Sequence, residues 1–287
     1  MKRFDYYQPQ TLKEAISLME KLKGRAKYIA GGTDILVRIK QRAIQPEALV
    51  SLRGVCTLNN ISHNGGLSLG SMTPFRDLER DPVIARKYPP LAQAVSLLAN
   101  PQVRNVATVG GNLCNSAPSA DSAPPLMVME ATLKLQGPGG EREMAIDDFF
   151  TGPGENCMEA EEALTEIQIS ERADHTGMAF LKVGRVAQDI AIVNAAALVV
   201  MDKKKCQRCR LAVGAVAPVP LRLKKVEKLI EGEEIGPELL DRVVQMVEQE
   251  VSPITDVRST QEYRRIMSGV LIKRAIKQAM EQIDYNR

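Results

Sequence analysis

Hydrophobic and polar positions in the first 175 residues follow helical and strand periods in turn. Residues Thr11 to Glu14 form a capping box, and apolar side chains follow at helical spacing until Gly24, which predicts a first helix. Further helices are predicted at 33–40, 73–79 and 90–99, and strands at 26–30, 48–52, 67–71, 131–135 and 164–169. We therefore expect this half of the chain to be a mixed α/β region.

The stretch from 100 to 126 has no regular period and is rich in Gly, Asn, Ser and Pro. We expect a loop here. Because loops of this length are uncommon in compact domains unless they have a function, this segment is a candidate for ligand binding.

The pattern changes after the polar stretch 171–177. Strands are predicted at 178–183, 191–201 and 211–216, followed by helices at 237–251 and 260–283, the second of which opens with a capping box from Ser259 to Glu262. We expect a domain boundary at this change, with one domain over 1–175 and a second over 176–287.

Charge and composition exclude several classes of protein. The 287 residues include 38 basic and 35 acidic ones, and a net charge of +3 gives no strong field for binding nucleic acid or a membrane surface. The longest nearly apolar run, 191–201, is shorter than the roughly 20 residues of a membrane span, and the first ten residues contain no apolar signal core. We expect a cytoplasmic protein whose five cysteines are reduced.

The first candidate for chemistry is the sequence AGGTD (30–34), which lies between a predicted strand and a predicted helix. Glycine lets the main chain approach a ligand closely, so the N–H groups from Gly32 to Ile35 could hold a phosphate or a diphosphate. Such a turn is also common as a simple connection, and the motif is weak by itself.

The second candidate is the sequence TVGGN (108–112), which Asn115, Ser116, Ser119 and Asp121 follow closely. Its side chains offer donors and acceptors, its glycines offer open backbone, and Asp121 could accept from a ribose or ribityl hydroxyl. The alternative is an Ω-loop whose polar groups satisfy one another. The length of the segment and the Gly-Gly pair favour a ligand.

A third candidate is FLKVGR (180–185), followed by DIA (189–191). Its two cations, Lys182 and Arg185, could face a ligand or could be solvated charges at a strand edge. Neither glycine motif fits the dinucleotide fingerprint G-x-G-x-x-G, and no G-K-S/T phosphate loop is present. Ordinary Rossmann and nucleoside-triphosphatase folds are therefore disfavoured.

Taken in this order, AGGTD, VRNVATVGGN with SAD, and FLKVGR with DIA resemble the medium, FAD-binding subunit of the xanthine dehydrogenase and carbon monoxide dehydrogenase family of molybdenum hydroxylases. The resemblance covers essentially the whole chain. It implies an α+β fold in which a vanillyl-alcohol-oxidase (PCMH) type FAD-binding domain of two α/β lobes precedes a C-terminal α+β domain like that of the CO dehydrogenase flavoprotein.

The resemblance also implies which residues bind FAD. The first motif would wrap the diphosphate with backbone N–H groups, and the second would lie along the phosphates towards the flavin. Lys182 would hydrogen-bond the carbonyl region of the isoalloxazine, and the main chain of Leu164 would meet the flavin edge. The implied cofactor-binding residues are Tyr28, Ile29, Ala30, Gly31, Gly32, Thr33, Asp34, Ile35, Leu98, Thr108, Val109, Gly110, Gly111, Asn112, Asn115, Asp121, Leu164 and Lys182.

By the same resemblance, the chain would work beside a molybdopterin-binding large subunit and a 2Fe–2S small subunit. Electrons would reach FAD from the clusters and leave to NAD⁺, a quinone or another acceptor, so no residue is expected to be an acid–base catalyst. Asp189 and Ile190 match the loop beside the flavin in relatives that admit NAD⁺, but their spacing from Lys182 is one residue shorter than in xanthine dehydrogenase. This departure leaves the acceptor open.

Two other functions stay open at this point. One is a self-sufficient flavin oxidoreductase on the same fold, which would need its own substrate pocket with a general acid. The other is a flavin-free scaffold that only bridges its partners.

We expect no metal site. Cys206 and Cys209 have zinc-like spacing, but a four-ligand site needs two more ligands, and His63 and His175 are the only histidines. The stretch 203–210 is expected to be a charged turn between two strands, and Cys114 a small filler of its loop.

Overall fold

The computed structural model of the chain describes residues 2–285, and its N-terminal lobe is a small parallel sheet with two helices. The strand order is β1-β3-β2, and both pairs are parallel. The elements are β1 (Asp5–Tyr7), α1 (Leu12–Leu22), β2 (Ala26–Ile29), α2 (Ile35–Lys40) and β3 (Ala48–Ser51). Helix α1 begins as predicted, since the Thr11 hydroxyl accepts from the Glu14 amide at 3.2 Å, and its buried residues Ala15 and Met19 pack on the sheet.

The second lobe is a five-stranded antiparallel sheet with the order β4-β5-β10-β6-β7 and six short helices. Its strands, with the hairpin β8–β9, are β4 (Ile61–Ser62), β5 (Gly66–Gly70), β6 (Thr132–Gly137), β7 (Gly140–Ala145), β8 (Phe150–Gly152), β9 (Glu155–Asn156) and β10 (Ala163–Ser170). Its helices are α3 (Phe75–Arg80), α4 (Pro82–Lys87), α5 (Pro89–Ser96), α6 (Pro101–Arg104), α7 (Val109–Asn115) and α8 (Ala123–Val128). Apolar side chains from the sheet and from these helices share one core.

The C-terminal region is a four-stranded antiparallel sheet with three helices. Its elements are β11 (Thr176–Val183), β12 (Val193–Asp202), β13 (Lys205–Gly214), β14 (Leu221–Arg222), α9 (Lys224–Ile230), α10 (Pro237–Glu250) and α11 (Gln261–Tyr285). Because side chains alternate along a strand, Met178 and Phe180 of β11 pack into the core of the second lobe, whereas Ala179 packs with the helices α9 to α11. The sheet therefore binds the C-terminal helices to the second lobe.

This arrangement is the α+β architecture that the resemblance implies. The polar stretch 171–177 connects β10 to β11, and the domain boundary between residues 175 and 176 stays a prediction. None of the helices within residues 2–285 is both long enough and apolar enough to cross a bilayer.

Two segments differ from the sequence-based expectation. The stretch 100–126 is not a loop, because it contains α6, α7 and α8, each too short to show a helical period in sequence. The stretch 203–210 is not a charged turn, because β13 begins at Lys205 and only Lys203 and Lys204 turn. A shift of register opposite Met201 lets both Cys206 and Cys209 be buried.

The start of α11 also differs. The hydroxyl of Thr260 accepts from the Tyr263 amide at 3.2 Å, so Thr260 caps this helix and the predicted Ser259 does not. The Ser259 amide instead donates to Asp256. The sequence pattern also does not predict α4, α9 or the short strands β1, β4, β7, β8, β9 and β14.

Candidate functional site

The first glycine turn, residues 30–35, connects β2 to α2 and leaves its amides open. Gly32 has a left-handed φ of +78°, which favours glycine. Within the described chain, none of the amides from Gly31 to Ile35 donates a hydrogen bond, whereas the next amide, that of Leu36, donates to the Gly32 carbonyl at 3.2 Å. A row of free N–H groups of this kind can bind a phosphate.

The second glycine segment, residues 108–112, begins α7 and uses its amides inside the protein. Thr108 caps α7, and its hydroxyl accepts from the Gly111 amide at 3.1 Å. The amides of Val109 and Gly110 donate to carbonyl oxygens of residues 73 and 71, at 3.1 and 2.9 Å. The expectation of open backbone is therefore wrong for these N–H groups, since helix capping and close packing occupy them.

The two glycine segments lie against each other. A Cβ atom on Gly31 would overlap the carbonyl group of Val106, and a Cβ atom on Gly111 would lie 3.5 Å from the Cβ of Ala30. The absence of a side chain at Gly31 is what allows this approach, whereas the contact between Gly111 and Ala30 is an ordinary van der Waals distance. Two motifs that are nearly 80 residues apart in sequence thus meet in one place, as their binding of a single ligand requires.

Both segments line one cleft with a volume of about 840 Å³. Ligand pockets usually measure roughly 300–1,000 Å³, so this cleft can accept a large cofactor. The first lobe contributes its glycine turn and α2, the second lobe contributes α7 and Leu164, and the C-terminal region contributes Gln188, Asp189 and Ile190. The cleft therefore draws on all three parts of the fold.

The buried carboxylate of Asp121 lines the cleft and also joins the second lobe to the C-terminal sheet. Its two oxygens accept from Lys182 Nζ at 2.6 Å and from Asn194 Nδ2 at 2.9 Å. Burial raises the pKa of Asp121, while Lys182 and Asn194 act against this rise. Lys182 Nζ also donates to the Leu97 carbonyl at 3.1 Å, so its charge is held inside the protein.

Tyr28 connects the first lobe to the second beside the cleft. Its hydroxyl donates to the Glu161 carbonyl at 3.0 Å. Burial is the main cause that raises the pKa of Tyr28 above its ordinary value, and the charge of Glu161 adds to it. Tyr28 is therefore a neutral side chain that fixes the relation of the two lobes.

Most of the predicted site residues meet at this cleft. Those that line it are Tyr28, Ala30, Gly31, Gly32, Thr33, Asp34, Ile35, Leu98, Thr108, Gly110, Gly111, Asn112, Asn115, Asp121 and Leu164. Their individual roles in binding stay predictions.

Three predicted residues do not line the cleft, and their part in binding stays a prediction. Ile29 packs in the core with Ile39 and Leu49, because alternation along β2 turns it away from Tyr28. Val109, the first residue of α7, is fully buried. Lys182 does not line the cleft, because its ammonium group forms a buried ion pair with the carboxylate of Asp121.

The cleft also contains residues that no motif indicates. Ser71 follows a strand end, and Gln188 lies in a surface loop. Lys27 and Arg38 also line the cleft and form no ion pair in the described part of the chain. For Arg38 a signal exists in the sequence, since it follows Asp34 by one helical turn and so shares its face.

Among the histidines and cysteines of the described chain, Cys114 alone lines the cleft. No group of three or more His, Cys, Asp and Glu residues in the described chain is placed to hold a metal ion. His63 pairs with Asp81 at 3.0 Å outside the cleft. Cys114 lines the cleft, but burial raises its pKa to about 12, which keeps the thiol protonated.

The donors of the cleft fit a cofactor that carries a diphosphate and several hydroxyl groups. The open amides of the first glycine turn match an anion, and the cations Lys27 and Arg38 line the same cleft. The buried hydroxyl of Ser71 has no partner among the described residues. A dinucleotide cofactor such as FAD offers acceptors for all of these groups.

Comparison with known proteins agrees with this chemistry. Residues 2–170 match the family described as "FAD binding domain in molybdopterin dehydrogenase", and residues 178–279 match the "CO dehydrogenase flavoprotein C-terminal domain". The chain is 34% identical to the xanthine dehydrogenase FAD-binding subunit of Escherichia coli O157:H7 over 96% of this chain and 95% of that protein. It is 32% identical to the carbon monoxide dehydrogenase medium chain of Hydrogenophaga pseudoflava over 96% of this chain and 97% of that one.

Solved structures give the same result. The carbon monoxide dehydrogenase from Hydrogenophaga pseudoflava superposes with a TM-score of 0.95 at 31% identity, covering 98% of both chains. Quinoline 2-oxidoreductase from Pseudomonas putida 86 superposes with a TM-score of 0.92 at 28% identity, covering 99% of both chains. The chain therefore belongs to the FAD-binding, or medium, subunits of the xanthine dehydrogenase and carbon monoxide dehydrogenase family of oxidoreductases.

Proposed function

We propose that this subunit holds FAD in the cleft between its two glycine segments and relays electrons within a molybdenum hydroxylase. The electrons arrive from 2Fe–2S clusters of a small subunit and leave to NAD⁺ or another acceptor, while a molybdopterin-binding large subunit hydroxylates the substrate. Relatives named as medium chains support such partners, as does a related carbon monoxide dehydrogenase whose structure is described by its molybdenum cofactor.

The convergence of the two glycine segments is the observation that carries this proposal. The open amides from Gly31 to Ile35 bind the diphosphate, and Asp121 accepts from a hydroxyl of the cofactor. The buried ammonium group of Lys182 orients the carboxylate of Asp121 and neutralises its charge. FAD, when bound, supplies the redox chemistry, and the chain supplies position and electrostatics.

The loop that begins after β11 borders the cleft where an acceptor can approach. Its residues Gln188, Asp189 and Ile190 line the cleft, and Arg185 holds Asp189 with a contact of 2.8 Å. The arginine keeps the pKa of Asp189 low, at about 2, so this carboxylate is charged at neutral pH. This loop therefore presents charged groups beside the cleft, and the acceptor, NAD⁺ or another, is expected to approach along it.

The location of FAD is tested with a matched pair of variants. Gly111→Asp places a carboxylate against Thr108 and beside the phosphate-binding turn. It should abolish the flavin absorbance of the purified subunit, in protein whose circular dichroism shows that it is folded. Gly139→Asp is the control, because a Cβ atom at Gly139 meets nothing within 4 Å. Flavin retained in Gly111→Asp, or a wild-type protein that refuses added FAD, would contradict the proposal.

The electron relay is tested on the assembled complex. Co-purification with a molybdopterin protein and a 2Fe–2S protein is expected, followed by reoxidation of the substrate-reduced complex by NAD⁺ or by a quinone. An isolated subunit that turns over a small substrate with its own flavin would instead identify a self-sufficient oxidoreductase. A complex that assembles without flavin would identify a scaffold.

A further inference from the structure

Ser71 lies immediately after β5, where the second glycine segment packs against the end of the sheet. Its amide donates to the Thr165 carbonyl at 2.9 Å, and its own carbonyl accepts from the Gly110 amide at 2.9 Å. A Cβ atom on Gly110 would lie 2.5 Å from the Cβ of Ser71. The backbone of Ser71 is therefore fixed between β10 and α7, and its side chain has a defined position.

The hydroxyl of Ser71 is buried and has no hydrogen-bond partner in the part of the chain that the structure describes. The residue is only 4% exposed, yet it lines the cofactor cleft. Burying a polar group without a partner is unfavourable, so an orphan hydroxyl in a folded protein needs an explanation.

Other buried serines do not share this feature. Ser116 Oγ donates to the Leu113 carbonyl at 3.0 Å, Ser122 Oγ to Asn112 Oδ1 at 2.7 Å, and Ser268 Oγ to a backbone carbonyl of its own helix at 2.7 Å. Each of these hydroxyls is satisfied inside the protein. Among them, Ser71 stands apart because its hydroxyl is left for a group that enters the cleft.

We propose that the Ser71 hydroxyl donates a hydrogen bond to an acceptor oxygen of bound FAD. This inference rests on the proposed location of FAD in the cleft, and it adds a binding residue that neither glycine motif contains. A serine here couples the cofactor to the strand end that also holds Gly110.

The test compares Ser71→Ala with Thr73→Val. Ser71→Ala removes a hydroxyl that has no hydrogen-bond partner among residues 2–285, so the thermal stability of the FAD-free chain should not fall. Its affinity for FAD, measured by titration of flavin fluorescence, should weaken about three- to tenfold, the value of one hydrogen bond. Thr73→Val removes a buried hydroxyl from the same segment that donates to the Asn60 carbonyl at 2.9 Å, so it should lower stability and leave FAD affinity unchanged.

The outcomes separate this inference from the proposed function. Unchanged FAD affinity in Ser71→Ala, with flavin lost from Gly111→Asp, would overturn the Ser71 contact alone. A loss of affinity that comes with the same loss of stability as in Thr73→Val would also overturn it, because the effect would then be structural. Flavin retained in Gly111→Asp would overturn both proposals. Competition by ADP and by riboflavin then shows which half of FAD accepts the bond, since only the half that Ser71 contacts should compete more weakly in Ser71→Ala.

Discussion

The two glycine segments have similar sequences but opposite relations to the rest of the protein. The first glycine turn is half-exposed, and its amides from Gly31 to Ile35 have no partner in the described chain. The second segment is mostly buried, and the amides of Val109, Gly110 and Gly111 all bond to other residues. A Gly-Gly pair can therefore present its backbone to a ligand or can let two pieces of backbone pack closely, and the sequence motif does not distinguish the two roles.

This difference gives each segment its own expected response to substitution. Side-chain changes in the first turn outside its two glycines, such as Thr33→Ala, should weaken cofactor binding with little effect on the FAD-free fold. Changes in the second segment, and in the residues it leads to, should first destabilise the fold, and a carboxylate at Gly111 should in addition repel the diphosphate from the first turn. The stability of the FAD-free protein and the affinity for FAD are therefore the two measurements that test the difference between the two segments.

The largest effect on stability is expected from Lys182→Met, which leaves the carboxylate of Asp121 buried without its cation. Breaking a buried ion pair from one side costs about 3–5 kcal/mol in the free energy of unfolding. Chemical denaturation of the FAD-free variant at neutral pH measures this loss. The double variant Asp121→Asn/Lys182→Met should recover much of it, because no buried charge is then left.

The same variant should show a distinctive pH dependence. Burial already raises the pKa of Asp121, and removal of Lys182 takes away the main interaction that lowers it. A group whose pKa is raised by folding favours the folded state when it is protonated. The stability deficit of Lys182→Met should therefore narrow as the pH falls from about 8 to about 5. A deficit that is constant or grows over this range would contradict the buried charge as its cause.

The next largest effect is expected from Gly110→Ala. The new methyl group would lie 2.5 Å from the Cβ and 2.6 Å from the carbonyl oxygen of Ser71, and backbone on both sides cannot easily move. Overpacking of this kind costs roughly 1–3 kcal/mol, measurable in the FAD-free protein by denaturation. Gly139→Ala is the matched control and should be neutral, because nothing lies within 4 Å of the added atom. Equal stabilities in the two variants would show that the second segment is not packed as described.

The sequence predicts the elements of this fold better than it predicts their contacts. The cap at Thr11 and the alternating burial along β6 are local features, and both agree with the structure. The helices between 100 and 126 are missed because each has only four to seven residues, too few for a periodic signal. The buried cysteines of β13 are missed because a register shift, which the sequence does not reveal, turns both side chains inward.

The site shows the same limit. Both glycine motifs can be found in sequence because each Gly-Gly pair stands beside polar residues, although such a pair is also common in simple turns. The roles of Gly31 and Gly110 cannot be found in sequence. They depend on contacts with Val106 and Ser71, which only the tertiary structure brings close. Ser71 itself has no motif, since an orphan hydroxyl is defined by the partners that it lacks.

The smallest effects are expected from two threonines, one in each glycine segment. Thr108→Ala should change mainly the stability, and Thr33→Ala should change mainly the affinity for FAD. The Thr108 hydroxyl is buried and caps α7 by accepting from the Gly111 amide, so Thr108→Ala should lower the stability of the FAD-free protein by about 1 kcal/mol. Among the residues that the structure describes, the Thr33 hydroxyl bonds only to Asp34, at 3.4 Å, so Thr33→Ala should change stability by less than about 0.5 kcal/mol.

Affinity for FAD should follow the opposite order. Thr33 lines the cleft and has a hydroxyl free to meet the diphosphate, so Thr33→Ala should weaken FAD binding about three- to tenfold. Folded Thr108→Ala should bind FAD nearly as well as the wild type, because its hydroxyl serves α7. Calorimetric unfolding and flavin titration on the same two variants measure both quantities. If Thr33→Ala were the less stable variant, or Thr108→Ala the weaker binder, the division between an open turn and a packed one would be wrong.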